Sequence, residues 1–166
     1  MKNTVSLSIL IISCMIIFSG VALAGWQTQL HVKGQEINGQ FKSSVTIGVG
    51  QDETQIPAPP KAPLYSSNIV LVSLPAWTPY LVKDIREQGS ESNMWVLGIN
   101  PNGNMPGFED SSCTVSWDPS KLGHGTFKLV AGIDASGEIL ISDMKSIASF
   151  DVSGWDQQFY FTIVNE

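Results

Sequence analysis

From residue 26 onward, apolar and polar residues alternate with a period of two, and no segment carries a long apolar stripe at helical spacing. Successive side chains of a strand point to opposite faces, so this pattern describes half-buried strands and excludes a helical bundle. Thr28, Leu30 and Val32 alternate with Gln27, Gln29 and His31. Phe41, Val45, Ile47 and Val49 alternate with Lys42, Ser44, Thr46 and Gly48. Further runs of this kind lie at Asn68 to Leu74, Tyr80 to Ile85, Met94 to Ile99 and Cys113 to Trp117, and then at Phe127 to Ile133, Glu138 to Ser142, Ile147 to Val152 and Gln158 to Val164. About nine or ten short strands at this spacing predict an all-β chain, an antiparallel sandwich first and a barrel second.

Turn-forming clusters separate the runs. Asp134-Ala135-Ser136-Gly137 has the composition of a hairpin turn, and the one helical turn is placed near Pro119 to Leu122. Pro57-Ala58-Pro59-Pro60-Lys61-Ala62-Pro63 holds four prolines in seven residues. Proline has no N–H to give a central ladder, so residues 57–63 read as an extended crossing. The segment from Gly25 to Ile56 offers two strands, too few to bury a core alone. Residues 25–166 are therefore read as a single domain.

The start of the chain sets its destination. Lys2 precedes an apolar run from Val5 to Val21, followed by Ala22-Leu23-Ala24 ahead of Gly25. A positive start, an apolar middle and a small-x-small cut site describe a secretory signal peptide over residues 1–24. The product is expected to be secreted or held at the cell envelope, in the periplasm or on the surface. No later apolar run is long enough to span a bilayer.

The formal charge of the whole chain is −6, and Lys2 is removed with the leader, so the exported part is more acidic still. Its basic residues are scattered singly, which argues against a phosphate backbone or an anionic membrane as partner. Of two cysteines, Cys14 lies in the leader and Cys113 stands alone after it, so no disulfide can staple the domain. Cys113 reads as a small buried residue of a strand.

The order of several short motifs carries a resemblance. Thr46-Ile47-Gly48-Val49-Gly50 leads to the acidic turn Gln51-Asp52-Glu53-Thr54-Gln55 and the proline run. Tyr80-Leu81-Val82-Lys83-Asp84-Ile85-Arg86, Trp95-Val96-Leu97-Gly98-Ile99 and Ser116-Trp117-Asp118 follow. Ile141-Ser142-Asp143-Met144 then precedes Ser149-Phe150-Asp151-Val152. Together they resemble an immunoglobulin-like β-sandwich module of exported bacterial surface proteins. The resemblance implies an immunoglobulin or fibronectin-III-like fold and a non-catalytic extracellular role.

The residues themselves offer little for catalysis. His31 occupies the polar phase of a strand and His124 a glycine-flanked turn, and no Gly-x-Ser-x-Gly elbow occurs. A hydrolase built on two carboxylates stays open, because that geometry is invisible in sequence. The loop from Asn100 to Ser112 is the best oxygen-rich patch. Asn100, Asn102, Asn104, Glu109 and Asp110 could serve calcium, although their spacing is not that of an EF-hand. Among the aromatics, Trp95 and Trp117 read as core, whereas Trp77 and Tyr80 sit between prolines in Pro75-Ala76-Trp77-Thr78-Pro79-Tyr80. An exposed pair there would stack on a sugar ring or a peptide. The last strand, Phe159 to Val164, is apolar on both faces and reads as a donor to another chain if it lies at an edge. The expected function is a structural or protein-interaction role at the cell envelope, with carbohydrate binding as the alternative. Its partners are other surface proteins or glycans.

Overall fold

The structure is a computed structural model and describes residues 25–34, 43–59, 67–76, 79–89, 94–101, 111–154 and 158–166. Residues 1–24, expected from sequence to be a leader, lie outside the described residues. Eleven strands follow one another: β1 (Trp26–Lys33), β2 (Ser43–Gly50), β3 (Thr54–Pro57), β4 (Asn68–Val72), β5 (Tyr80–Glu87) and β6 (Met94–Asn100), then β7 (Ser111–Ser116), β8 (Phe127–Ala131), β9 (Ile139–Ile141), β10 (Ser149–Gly154) and β11 (Phe159–Asn165). A single 3₁₀ turn at Pro119–Lys121 falls where the Asp118-Pro119 pair predicts it, with Asp118 capping it through the Ser120 amide. Among the described residues no helix is long and apolar enough to cross a membrane.

Hydrogen bonding joins the strands in one curled sheet of order β10-β7-β1-β2-β5-β4-β6-β11-β8-β9, with β3 attached to β5. The burial of β1 alternates residue by residue, with Thr28, Leu30 and Val32 inside and Gln27, Gln29 and His31 outside, as a period of two requires. The sheet folds back on itself, so its two halves share one core. Trp26 of β1 meets Trp95 of β6 edge-on at 5.6 Å and Phe127 of β8 at 4.9 Å. Phe150 of β10 meets Phe161 of β11 at 5.2 Å. Around these rings pack Leu30, Ile47, Leu71, Leu97, Val115 and Ile163, all at or near zero exposure.

The bend lies at β5. Its first residues pair antiparallel with β4, and Lys83 to Glu87 then run parallel to β2. This parallel pair corrects the purely antiparallel arrangement expected from the sequence. The chain reaches β5 only after the whole of β3 and β4, so it arrives beside β2 in the same direction rather than by a hairpin. β3 was missed by the alternation, because all its residues are exposed and it ends on Pro57. It lies on the opposite edge of β5 from β4, so the proline-rich segment carries the chain from one side of β5 to the other. Ala58 N–H donates to the Tyr80 carbonyl at 2.7 Å, and residues 60–66 of that crossing lie outside the described residues.

β11 is hydrogen-bonded to β6 on one side and β8 on the other, so it is central and presents no edge to another chain. The residues that end as edges are β9 and β10. The segment 142–148 spans the gap between them: Met144 N–H donates to the Phe127 carbonyl at 2.7 Å, and Trp117 N–H to the Ala148 carbonyl at 2.9 Å.

Candidate functional site

β7 pairs with β1 only from His31 to Lys33. The next residues of β7's line would be Trp117, Asp118 and Pro119. Proline cannot donate to a ladder, and the chain turns away instead. Trp117 N–H goes to Ala148, and the Asp118 carboxylate accepts from the Ser120 amide at 3.0 Å and its hydroxyl at 2.7 Å. Those two donors hold the Asp118 carboxyl below the usual carboxylate range, so this wall of the site carries a fixed negative charge. The result is a fork, with the first half of β1 as one prong and residues 116–121 as the other.

A groove of about 690 Å³ fills the fork, lined by Gln27, Thr28, Gln29, His31 and Thr46 on one side and Ser116 to Asp118 and Lys121 on the other. Three consecutive residues of a strand point to alternate faces. They can line one groove only along the strand's edge. Gln27, Thr28 and Gln29 do so, and with Thr46 of β2 also in the lining the groove runs from the open edge of β1 across its outer face. Thr28 is 3 % exposed, and its Oγ1 has no hydrogen-bond partner among the described residues. Such a hydroxyl costs about 1–3 kcal/mol if left unsatisfied. The groove lining is mostly amide, imidazole and hydroxyl, with the Asp118 carboxyl and the Lys121 amine as its acid and base.

A second concave region lies on the outer face of the other half. Val72, Leu74, Met94, Val96 and Ile133 line a cleft of about 390 Å³ that ends at Asp84 and Arg86. The Asp84 carboxylate accepts from Arg86 Nε and Nη2, both at 3.3 Å, and from Gln55 Nε2 at 3.3 Å. The Arg86 guanidinium also lies over the Trp95 ring at 5.0 Å, and the Trp95 indole donates to the Asp84 carbonyl at 3.2 Å.

Of the residues nominated from sequence, Tyr80 is 40 % exposed at the start of β5, while Trp77 lies outside the described residues. Asn100 is buried at the end of β6 opposite Asn68, and Asn102, Asn104, Glu109 and Asp110 lie outside the described residues. Among the described residues no three His, Cys, Asp or Glu side chains gather as a metal site. Trp95 and Trp117 are core residues, and His31 and His124 are exposed, as the alternation places them. Cys113 is buried in β7. The fork residues were not singled out in sequence. Their signal was the Asp-Pro pair directly after a strand, which marks where a ladder must stop.

Comparison with protein-family models, with curated proteins and with solved structures finds no match to this chain.

Proposed function

We propose that this chain is a non-catalytic, immunoglobulin-like β-sandwich module of an exported protein, and that it engages a partner protein by accepting an extended peptide along the open edge of β1. The observation that carries the reading is the groove against that edge. A strand with β2 on one side and no strand on the other from Trp26 to Leu30 has backbone groups to offer, and peptide recognition by strand addition uses such groups for affinity. The prong at 116–121 shields the edge from casual pairing and leaves a slot rather than a flat rim. Alternation then sets the specificity, because inward side chains of the guest meet Thr28 and outward ones meet Gln27, Gln29 and His31.

The test is selection of binders from a displayed random peptide library on the full chain, followed by amide hydrogen exchange of Gln27 to Leu30 with and without the selected peptide. Fork-facing amides should exchange quickly in the free protein and become protected at least tenfold on binding. Thr28→Val, which keeps the shape and removes the hydroxyl, should weaken that peptide while leaving the fold intact. The reading fails if these amides are already as slow as those of Val45 to Ile47, or if no selected peptide changes them.

A further inference from the structure

The outer face of β4, β6 and β11 carries a set of uncharged groups that the fork does not use. Cross-strand partners share a face of a sheet. Val72 pairs with Tyr80 on one side and Val96 on the other. Val70 pairs with Gly98, and Gly98 with Tyr160. These residues therefore share the outer face, opposite to Ile69, Leu71, Leu97 and Ile99 in the core; Val72, Val96 and Gly98 are covered there, Val70 and Tyr160 are half-buried, and Tyr80 is exposed. Tyr80 and Tyr160 stand at the two flanks of a valine floor, close enough that Tyr80 adds to burial in raising the Tyr160 phenol above its ordinary value.

Gly98 makes the middle of this floor a seat. A β-carbon there would stand 2.5 Å from Gln158 Nε2, 3.2 Å from a methyl of Val70 and 3.4 Å from one of Val72. The Gln158 carboxamide thus rests where any other residue would place its side chain. Tyr80 supplies an exposed ring, Val70 a half-buried apolar base, and Gln158 a planar group with both donor and acceptor capacity.

We propose that this face is a second binding site, for a neutral saccharide. A pyranose ring has one face of C–H groups, which pack on an aromatic ring and on valine methyls, and a rim of hydroxyls, which a carboxamide and phenols bind. Tyr80, Tyr160, Gln158 and Val70 bear no formal charge, and Asp84 and Arg86, in the cleft that Val72 also lines, are paired with each other, so an ionic ligand would gain no counter-charge from these groups. This site lies on the half of the sheet opposite the fork, and it stands or falls independently of the peptide reading.

The test is calorimetric titration of the full chain with cellohexaose, laminarihexaose, mannohexaose and N-acetylchitohexaose. At least one should bind saturably. Tyr80→Ala should then lower its affinity about tenfold, the loss of one stacking contact, and Tyr80→Phe should retain it. Gly98→Ala should lower it similarly by displacing the Gln158 amide, and Gln158→Ala serves as the second variant if Gly98→Ala does not fold. Thr28→Val should bind the sugar as the unaltered chain does. Failure of all four saccharides to bind would overturn the proposal, as would binding that Tyr80→Ala and Gln158→Ala leave unchanged.

Discussion

The indole Nε1 of Trp117 donates a 2.9 Å hydrogen bond to the main-chain carbonyl of Met144, and this contact draws together the two ends of the curled sheet. Trp117 follows β7, which belongs to the β10 end, while Met144 is tied by its own N–H to Phe127 of β8 near the β9 end. Both side chains are buried in the shared core. The segment 142–148 therefore acts as the seam that a complete barrel would close with a strand ladder.

That seam predicts a large effect from small changes. Trp117→Phe keeps a ring but leaves the buried Met144 carbonyl without its donor, at a cost of about 1–3 kcal/mol. Met144→Ala opens a cavity and should cost about 2–5 kcal/mol. Urea unfolding checks both; the carbonyl that Trp117 bonds is main chain and survives Met144→Ala, so each variant should show its own loss, and an unchanged midpoint in either would contradict its role in the seam.

Cys113 predicts an alkaline loss of stability. Burial, with a further contribution from Asp151, pushes its thiol up from 9.0 to about 11. As pH rises between those values, the unfolded chain gives up the proton and the folded one keeps it. Stability from this group is thus complete below pH 9 and falls as pH rises toward 11. Unfolding curves at successive pH values should show a decline that is smaller in Cys113→Val. The native thiol should also react slowly with iodoacetamide and quickly in denaturant.

Two glycines of the β8–β9 connection should fail for different reasons. Gly132 has φ +98° and open space around it, so Gly132→Ala meets only backbone strain, about 1 kcal/mol, and Gly132→Asn less. At Gly137 a β-carbon would collide with the Ala131 carbonyl oxygen, which is main chain and cannot swing away. Gly137→Ala should therefore be the more destabilising by thermal melting, and equal losses would contradict the geometry.

The Asp84–Arg86 pair predicts an asymmetric cycle. Asp84 has a side chain 8 % exposed and Arg86 one 23 % exposed. Asp84→Ala strips partners from Arg86 and Gln55 together, whereas Arg86→Ala leaves Asp84 its bond from Gln55. Chemical denaturation should show the first change as the costlier, at about 2–4 kcal/mol, with the partial exposure of Arg86 holding it below a fully buried pair.

Most of the strand inventory was legible because burial on one face writes itself into sequence as alternation. The segments from Thr28, Tyr80, Met94, Cys113, Phe127 and Gln158 onward each became a strand, and Pro119 ended one where its missing N–H requires. β3 was not legible, since a strand with every residue exposed has no pattern to leave. The parallel pairing of β2 with β5 was hidden too, because the period of two is the same in either direction. Tyr80 could be picked out by its proline-flanked setting, and it is exposed at the start of β5. The candidate grooves could not be found this way. Thr28 looks in sequence like one more inward residue of β1, and only the structure shows its hydroxyl buried without a partner among the described residues.

The sequence by itself determined which residues turn inward and where ladders stop. These are local matters of side-chain period and proline's missing donor. Tertiary structure decided which strands lie side by side, that Trp26 meets both Trp95 and Phe127, and that Gly98 makes room for Gln158. Neighbours across a sheet are set by packing the whole core at once, and two residues far apart in the chain carry no local mark of each other.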